Sequence, residues 1–119
     1  MIAILYCNKG DAEMNLENFI AAESSFKEAI TYEDDFSGGY MSMGRLRSQQ
    51  KMYDDAIKLL EKALSLHQPT DSVHSLFNMV IGLAYCYNKT GQKEKEKEMM
   101  LKCLEPPLSS ISFVEHEIN

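Results

Sequence analysis

Met52-Tyr53-Asp54-Asp55-Ala56-Ile57-Lys58-Leu59-Leu60-Glu61-Lys62-Ala63-Leu64 decides the fold. Tyr53, Ala56, Leu60, Ala63 and Leu64 recur at steps of three and four, which places them on one face of a helix. Two of these are alanines, where a free-standing amphipathic helix more often carries Leu or Ile. Something large must therefore approach the backbone there, and another helix is the natural candidate. Sliding the stretch along the chain puts Phe19, Ala22, Phe26 and Ala29 under Tyr53, Ala56, Leu60 and Ala63, an offset of 34 residues. A period of that length marks an array of stacked helical hairpins.

The same offset sets Tyr6-x-x-Lys9-Gly10 under Tyr40-x-x-Met43-Gly44, so two helices per period repeat. Gly10 and Gly44 each cost about 1 kcal/mol in helix propensity, which close packing must offset. A first helix is expected over Ala3 to Met14, with Tyr6, Gly10 and Ala12 on its packed side. Asn18 opens a second helix running to about Tyr32, and Glu33 to Gly39 is a turn rich in Asp and Gly. The third helix spans roughly Gly39 to Gln50, and the fourth is the opening stretch, with Asp54 and Asp55 at its positive end, stopping near His67-Gln68-Pro69. Thr70, Asp71 and Ser72 offer a cap for a fifth helix that reaches Lys89 or Thr90.

Leu83, Ala84 and Tyr87 stand where a third copy wants them, at a spacing of 40 instead of 34. The extra residues fall in Pro69 to Leu76, so the fifth helix is expected to extend backwards by about one and a half turns. Gly91 ends it, and a sixth helix covers about Gln92 to Leu104 before Pro106-Pro107. Its first half, Lys93 to Glu98, alternates in charge with mixed helical support and reads as a solvated outer face. Ser112-Phe113-Val114-Glu115 has capping-box spacing, so Ser112 would open a seventh helix covering the last pair.

Length and composition fit one domain. The chain has 119 residues, 45% of them apolar and 25% charged, with a net charge of −6. The basic residues are mixed among the acids, so there is no footprint for a phosphate backbone and nucleic acid is excluded as the expected partner. Cys7, Cys86 and Cys103 are odd in number and sit at apolar or repeat positions, as buried thiols of a reducing compartment do, which gives a cytoplasmic expectation. The apolar N-terminus lacks the flanks of a signal peptide. Leu76 to Tyr87, 12 residues containing Asn78, is too short to span a bilayer.

An aromatic or large residue, then small, aromatic, alanine, large apolar and alanine in fixed places of a 34-residue unit resembles the tetratricopeptide repeat. The second copy fits best, at Tyr40, Met43, Gly44, Tyr53, Ala56, Leu60 and Ala63, with Pro69 one place late. The first fits at Tyr6, Gly10, Phe19, Ala22, Phe26 and Ala29, with Lys9 in an apolar place and Glu13 where an aromatic is usual. The third fits at Leu83, Ala84, Tyr87, Gly91 and Met100, but has Glu96 where the family has a close-packing alanine. The resemblance implies an all-α, right-handed superhelix of antiparallel hairpins: repeat 1 over 3–36, repeat 2 over 37–70, repeat 3 over 71–108, then a tail or seventh helix over 109–119. It also implies a concave groove, lined by the first helices, that receives peptide segments of partner proteins.

The expected function is a non-enzymatic scaffold or adaptor that binds a partner peptide, with no cofactor; the alternative is a regulatory sensor domain holding a small peptide ligand. Register places Cys7, Asn8, Asp11, Asn15, Met41, Ser42, Arg45, Gln49, Asn78, Ile81, Tyr85, Asn88 and Lys89 in the groove. Amides there can pair with any extended backbone, Arg45 and Lys89 supply positive charge and Tyr85 the large aromatic, which suits a peptide with an acid beside an apolar or aromatic residue. The competing reading is a groove merely solvated, or filled by the chain's own Ile111 to Ile118. The family's chaperone-tail clamp is disfavoured, because its basic and amide places hold Cys7, Asp11, Ser42, Asn78 and Gly82.

A metal or enzyme reading would use His74 with Cys86, or His67 with His74. The metal reading needs several carboxylates or thiols converging on the histidines, and Cys86 lies in the most apolar segment, where a thiol is usually inert. Ile4 and Leu5 lie on an end that a terminal repeat normally protects with polar residues. The chain is therefore expected to be part of a longer array or to self-associate through its ends.

Overall fold

A computed structural model describes residues 2–110. Its elements are α1 (Ile2–Asn15), α2 (Phe19–Tyr32), α3 (Ser37–Gln49), α4 (Tyr53–Leu66), α5 (Val73–Lys89) and α6 (Lys93–Lys102), followed by a 3-10 turn at Leu108–Ser110. They pack as three hairpins, α1 with α2, α3 with α4 and α5 with α6. Each hairpin stacks on the next through α2 on α3 and α4 on α5, and α3 also touches both α1 and α5. This is the stacked-hairpin fold that the repeat period predicts. The expected seventh helix from Ser112 lies outside the described residues.

The three hairpin turns are built alike. Glu17 (φ 61°), Lys51 (φ 63°) and Gly91 (φ 75°) are left-handed residues spaced by the two repeat offsets. In each, the left-handed residue donates to the carbonyl three back (Glu17 to Met14, Lys51 to Ser48, Gly91 to Asn88), and the next residue donates five back (Asn18 to Glu13, Met52 to Arg47, Gln92 to Tyr87). That is the Schellman closure, which satisfies the last carbonyls of the first helix. In the first turn the closing residue also caps the next helix through its side chain, Asn18 Oδ1 accepting from the Ala21 N–H at 3.4 Å, a bond that Met52 and Gln92 at the same place do not make.

Inside the first two hairpins the small residue meets the large one. A Cβ on Gly10 would lie 2.4 Å from the Phe26 ring, and one on Gly44 would lie 2.8 Å from Leu60. Ala22, Ala29, Ala56 and Ala63 are fully buried. Thus the alanines and glycines of the opening stretch and its copies mark where two helix backbones converge.

Several local expectations change. α3 begins at Ser37, two residues before Gly39. α5 extends backwards by about one turn, since Val73 to Leu76 precede the position equivalent to Ser37, and the remaining insertion is a turn in which Asp71 accepts from the Gln68 N–H at 2.8 Å. α6 ends at Lys102, and Met100, expected in the core, is 43% exposed while Met99 is buried, because no further hairpin covers that side among the described residues. Ala12 is exposed rather than packed.

The misfit residues of the first repeat answer one another. Ser25, buried against α1, donates to Glu13 at 2.5 Å, and Lys9 reaches both Ser25 (3.2 Å) and Glu13 (3.3 Å). These bonds hold the Glu13 carboxyl below its usual range, Ser25 contributing most. Glu96, in the alanine place, accepts from the Asn88 amide at 3.2 Å, and Lys95 lies 5.8 Å from the centre of the Tyr87 ring. The charged run therefore packs against α5 in part and is not wholly solvated.

Both junctions between hairpins carry a polar link from the same position of the later hairpin to different positions of the earlier one. Arg47 of α3 pairs with Glu23 of α2, and Tyr87 of α5 donates to Glu61 of α4 at 2.7 Å. Arg47 and Tyr87 occupy the same place in successive repeats, 40 residues apart.

Two substitutions check this packing. Ala56→Leu is expected to overpack the central hairpin and lower stability by about 1–3 kcal/mol in denaturant unfolding. Gly91→Ala has free space for its methyl, since nothing lies within 4 Å. Its expected loss of about 1 kcal/mol would come from the left-handed backbone alone.

Candidate functional site

The face shared by α1, α3 and α5 is where the sequence places the groove, and it divides into two parts. Asp11, Arg45 and Tyr85 occupy one position in the three repeats, 34 and 40 residues apart. Asp11 Oδ1 lies 3.7 Å from Arg45 Nη1, so the arginine expected to meet a partner's acid is already neutralised within the chain. Opposite charges at one repeat position could have revealed this pair from sequence.

Cys7 and Ser42, both buried, lie against the same pair. The Asp11 carboxyl is raised above its usual range, because burial outweighs both Arg45 and the hydrogen bond from Ser42. Burial, followed by the Asp11 charge, pushes the Cys7 thiol up to about 11, so it stays protonated near neutrality. This half of the face is a structural joint between the first two repeats.

The other half is open. Tyr85 is 48% exposed, with Lys89 Nζ 5.4 Å from its ring centre and Tyr53 of α4 edge-on at 6.0 Å. Tyr53 is a member that the sequence reading left among core positions. Asn78 and Gln49 are exposed, as is Asn15 at the end of α1. Met41 and Ile81 are partly buried against the core cluster of α4 and α5, so they serve packing more than contact.

Two expected groove residues are reassigned. The amide of Asn88 is engaged by Glu96 of α6. Asn8 is exposed, but its equivalents are Ser42, which is buried, and Gly82, whose Cβ would lie 3.1 Å from Leu60 of α4. The Asn8 position therefore faces the preceding hairpin, and in α1 it stands open on the end of the stack.

His74 and Cys86 lie twelve residues apart on α5, about 18 Å along its axis, so they do not form one site. His67 Nδ1 is 4.0 Å from Asp71 Oδ2 across the turn after α4. Cys86 and Cys103 are buried free thiols, raised by desolvation. Among the described residues no helix is long and apolar enough to cross a membrane.

The raised Asp11 carboxyl carries a sign. A folded-state pKa above the unfolded value means that ionised Asp11 opposes folding at neutral pH, and that this penalty fades as pH falls through the folded pKa. Asp11→Asn is expected to raise the thermal midpoint at pH 7 by the equivalent of less than ~1 kcal/mol, given solvent screening, and to gain nothing at pH 3. Thermal melts at the two pH values check it.

Comparison with known proteins agrees with this architecture. The tetratricopeptide-repeat family model matches residues 3–36, 38–68 and 78–105, one stretch per hairpin. No curated protein matches the chain. Such repeats are generally non-catalytic protein–protein interaction modules. Three matched hairpins, each closed by the same turn, make this chain a member of the tetratricopeptide-repeat family.

Proposed function

We propose that the chain is a protein-interaction scaffold that holds an extended peptide segment of a partner along α1, α3 and α5, with Tyr85 and Lys89 as the recognition end. The observation that supports this reading is the half-exposed Tyr85 ring, flanked by Tyr53 and Lys89. Tyrosine binds well because a rigid ring buries much area for little lost freedom, and it is enriched among residues that dominate binding. A cation beside the ring adds attraction for an acid.

With Arg45 occupied by Asp11, the preference for an acidic residue falls to Lys89. Asn78 and Gln49 remain to pair with the peptide backbone. The favoured ligand is thus an extended peptide carrying an aromatic or large apolar residue next to Asp or Glu.

Selection from a random peptide library on the full chain, followed by fluorescence anisotropy, tests this. The selected peptides are expected to share the acid-next-to-aromatic pattern. A Tyr85→Ala, Lys89→Glu variant, verified as helical by circular dichroism, is expected to bind them at least ~10-fold more weakly. A folded variant with undiminished binding, or a selection that enriches nothing, overturns the reading.

A further inference from the structure

We propose that copies of this chain associate head to tail, the α6 face of one copy docking on the outer α1 face of the next by the same contacts that join hairpins within the chain. The surfaces involved are the two ends of the stack and are separate from the Tyr85 region.

The junctions inside the chain define those contacts. Glu23 of α2 pairs with Arg47 of α3. Ile30 of α2 lies against Gly39 of α3, whose Cβ would be 3.0 Å away. Glu61 of α4 accepts from Tyr87 of α5. Carried forward by the repeat offsets of 34 and 40, the position of Glu23 becomes Lys97, that of Ile30 becomes Leu104, and that of Glu61 becomes Leu101. Carried back, the position of Gly39 becomes Leu5, and that of Arg47 and Tyr87 becomes Glu13.

Those end positions are suited to one another. Leu101 on α6 is 49% exposed, Leu104 in the turn just after α6 is 55% exposed, and Leu5 on α1 is 66% exposed, although the equivalents of Leu5 are buried Gly39 and Met79. Leu104 of one copy would meet Leu5 of the next, and Lys97 would meet Glu13. The internal pair has its acid on the earlier helix and its base on the later one; the end pair reverses both signs and remains complementary. Glu13 is shared with Lys9 and Ser25 but retains 20% of its side-chain exposure.

The arrangement is directional. A two-fold dimer would bring like face to like face and could not join Lys97 of one copy to Glu13 of another, whereas head-to-tail contact joins these unlike faces and leaves an open end at each side. Asn8 opposite Met100 is the one mismatch of the junction, so the association is expected to be reversible.

Analytical ultracentrifugation of the full chain over a concentration series tests the proposal. The mean mass of the wild type is expected to rise with concentration without stopping at a dimer, and to fall with added salt. Lys97→Glu alone and Glu13→Lys alone are each expected to lose this rise. Mixed together, they are expected to recover the rise by alternating along the assembly, since each junction between unlike chains joins opposite charges and each junction between like chains joins equal ones. Leu5→Glu and Leu101→Glu test the junction without touching the Ser25 network: each is expected to be monomeric alone, and their mixture restores one native junction and stops at two chains. A wild type that stays monomeric throughout, as it would if its own residues 111–119 covered α6, overturns the proposal. So do folded single variants that associate like the wild type, or mixtures that remain monomeric.

Discussion

The contact on which the rest depends is the close approach of two helix backbones inside the first two hairpins, where a glycine of one helix receives a large side chain of the other. Gly10 takes Phe26 and Gly44 takes Leu60 so closely that a methyl on either glycine would collide with the partner. A glycine in a helix interior costs about 1 kcal/mol, and only the dispersion and burial of the residue filling the gap can offset it. Once the two helices meet at that distance, the Schellman turn has only one geometry to close. Hence the left-handed residue recurs at Glu17, Lys51 and Gly91, two of them bearing side chains that this backbone disfavours.

Stacking of hairpins follows a different logic. The positions linking one hairpin to the next accept an ion pair in one junction and a tyrosine-to-carboxylate bond in the other, Arg47 with Glu23 and Tyr87 with Glu61. Packing fixes where the helices lie, and each junction then needs only some complementary pair at that place. This tolerance explains how Lys9 and Glu13 can replace the usual apolar residues of the first repeat, where Ser25 supplies what both require. A buried polar group is acceptable when its partners are present.

The concave face shows the same economy. Asp11, Arg45 and Tyr85 share one repeat position, yet two of them neutralise each other as a joint and only the third presents an open surface. The proposed recognition is therefore assigned to the end of the stack where α5 carries Tyr85 and Lys89, next to Tyr53 of the preceding hairpin.

The sequence by itself determined the fold: the spacing of Tyr53, Ala56, Leu60 and Ala63, and its copy 34 residues earlier, is a covalent pattern that no packing detail can alter, and small residues at fixed steps leave few other ways to bury it. It also determined Asn18 as a cap and the three thiols as buried, because both follow from local periodicity. Only the tertiary structure decided which groove residues are free. Arg45 was committed to Asp11, Asn88 to Glu96, and Asn8 turned to the end of the stack, because pairing depends on which side chains of different helices converge within a few ångströms. Likewise Met100 and Ala12 hold core-like places in the pattern but stand exposed, since burial requires a neighbouring hairpin, and the described residues supply none at either end.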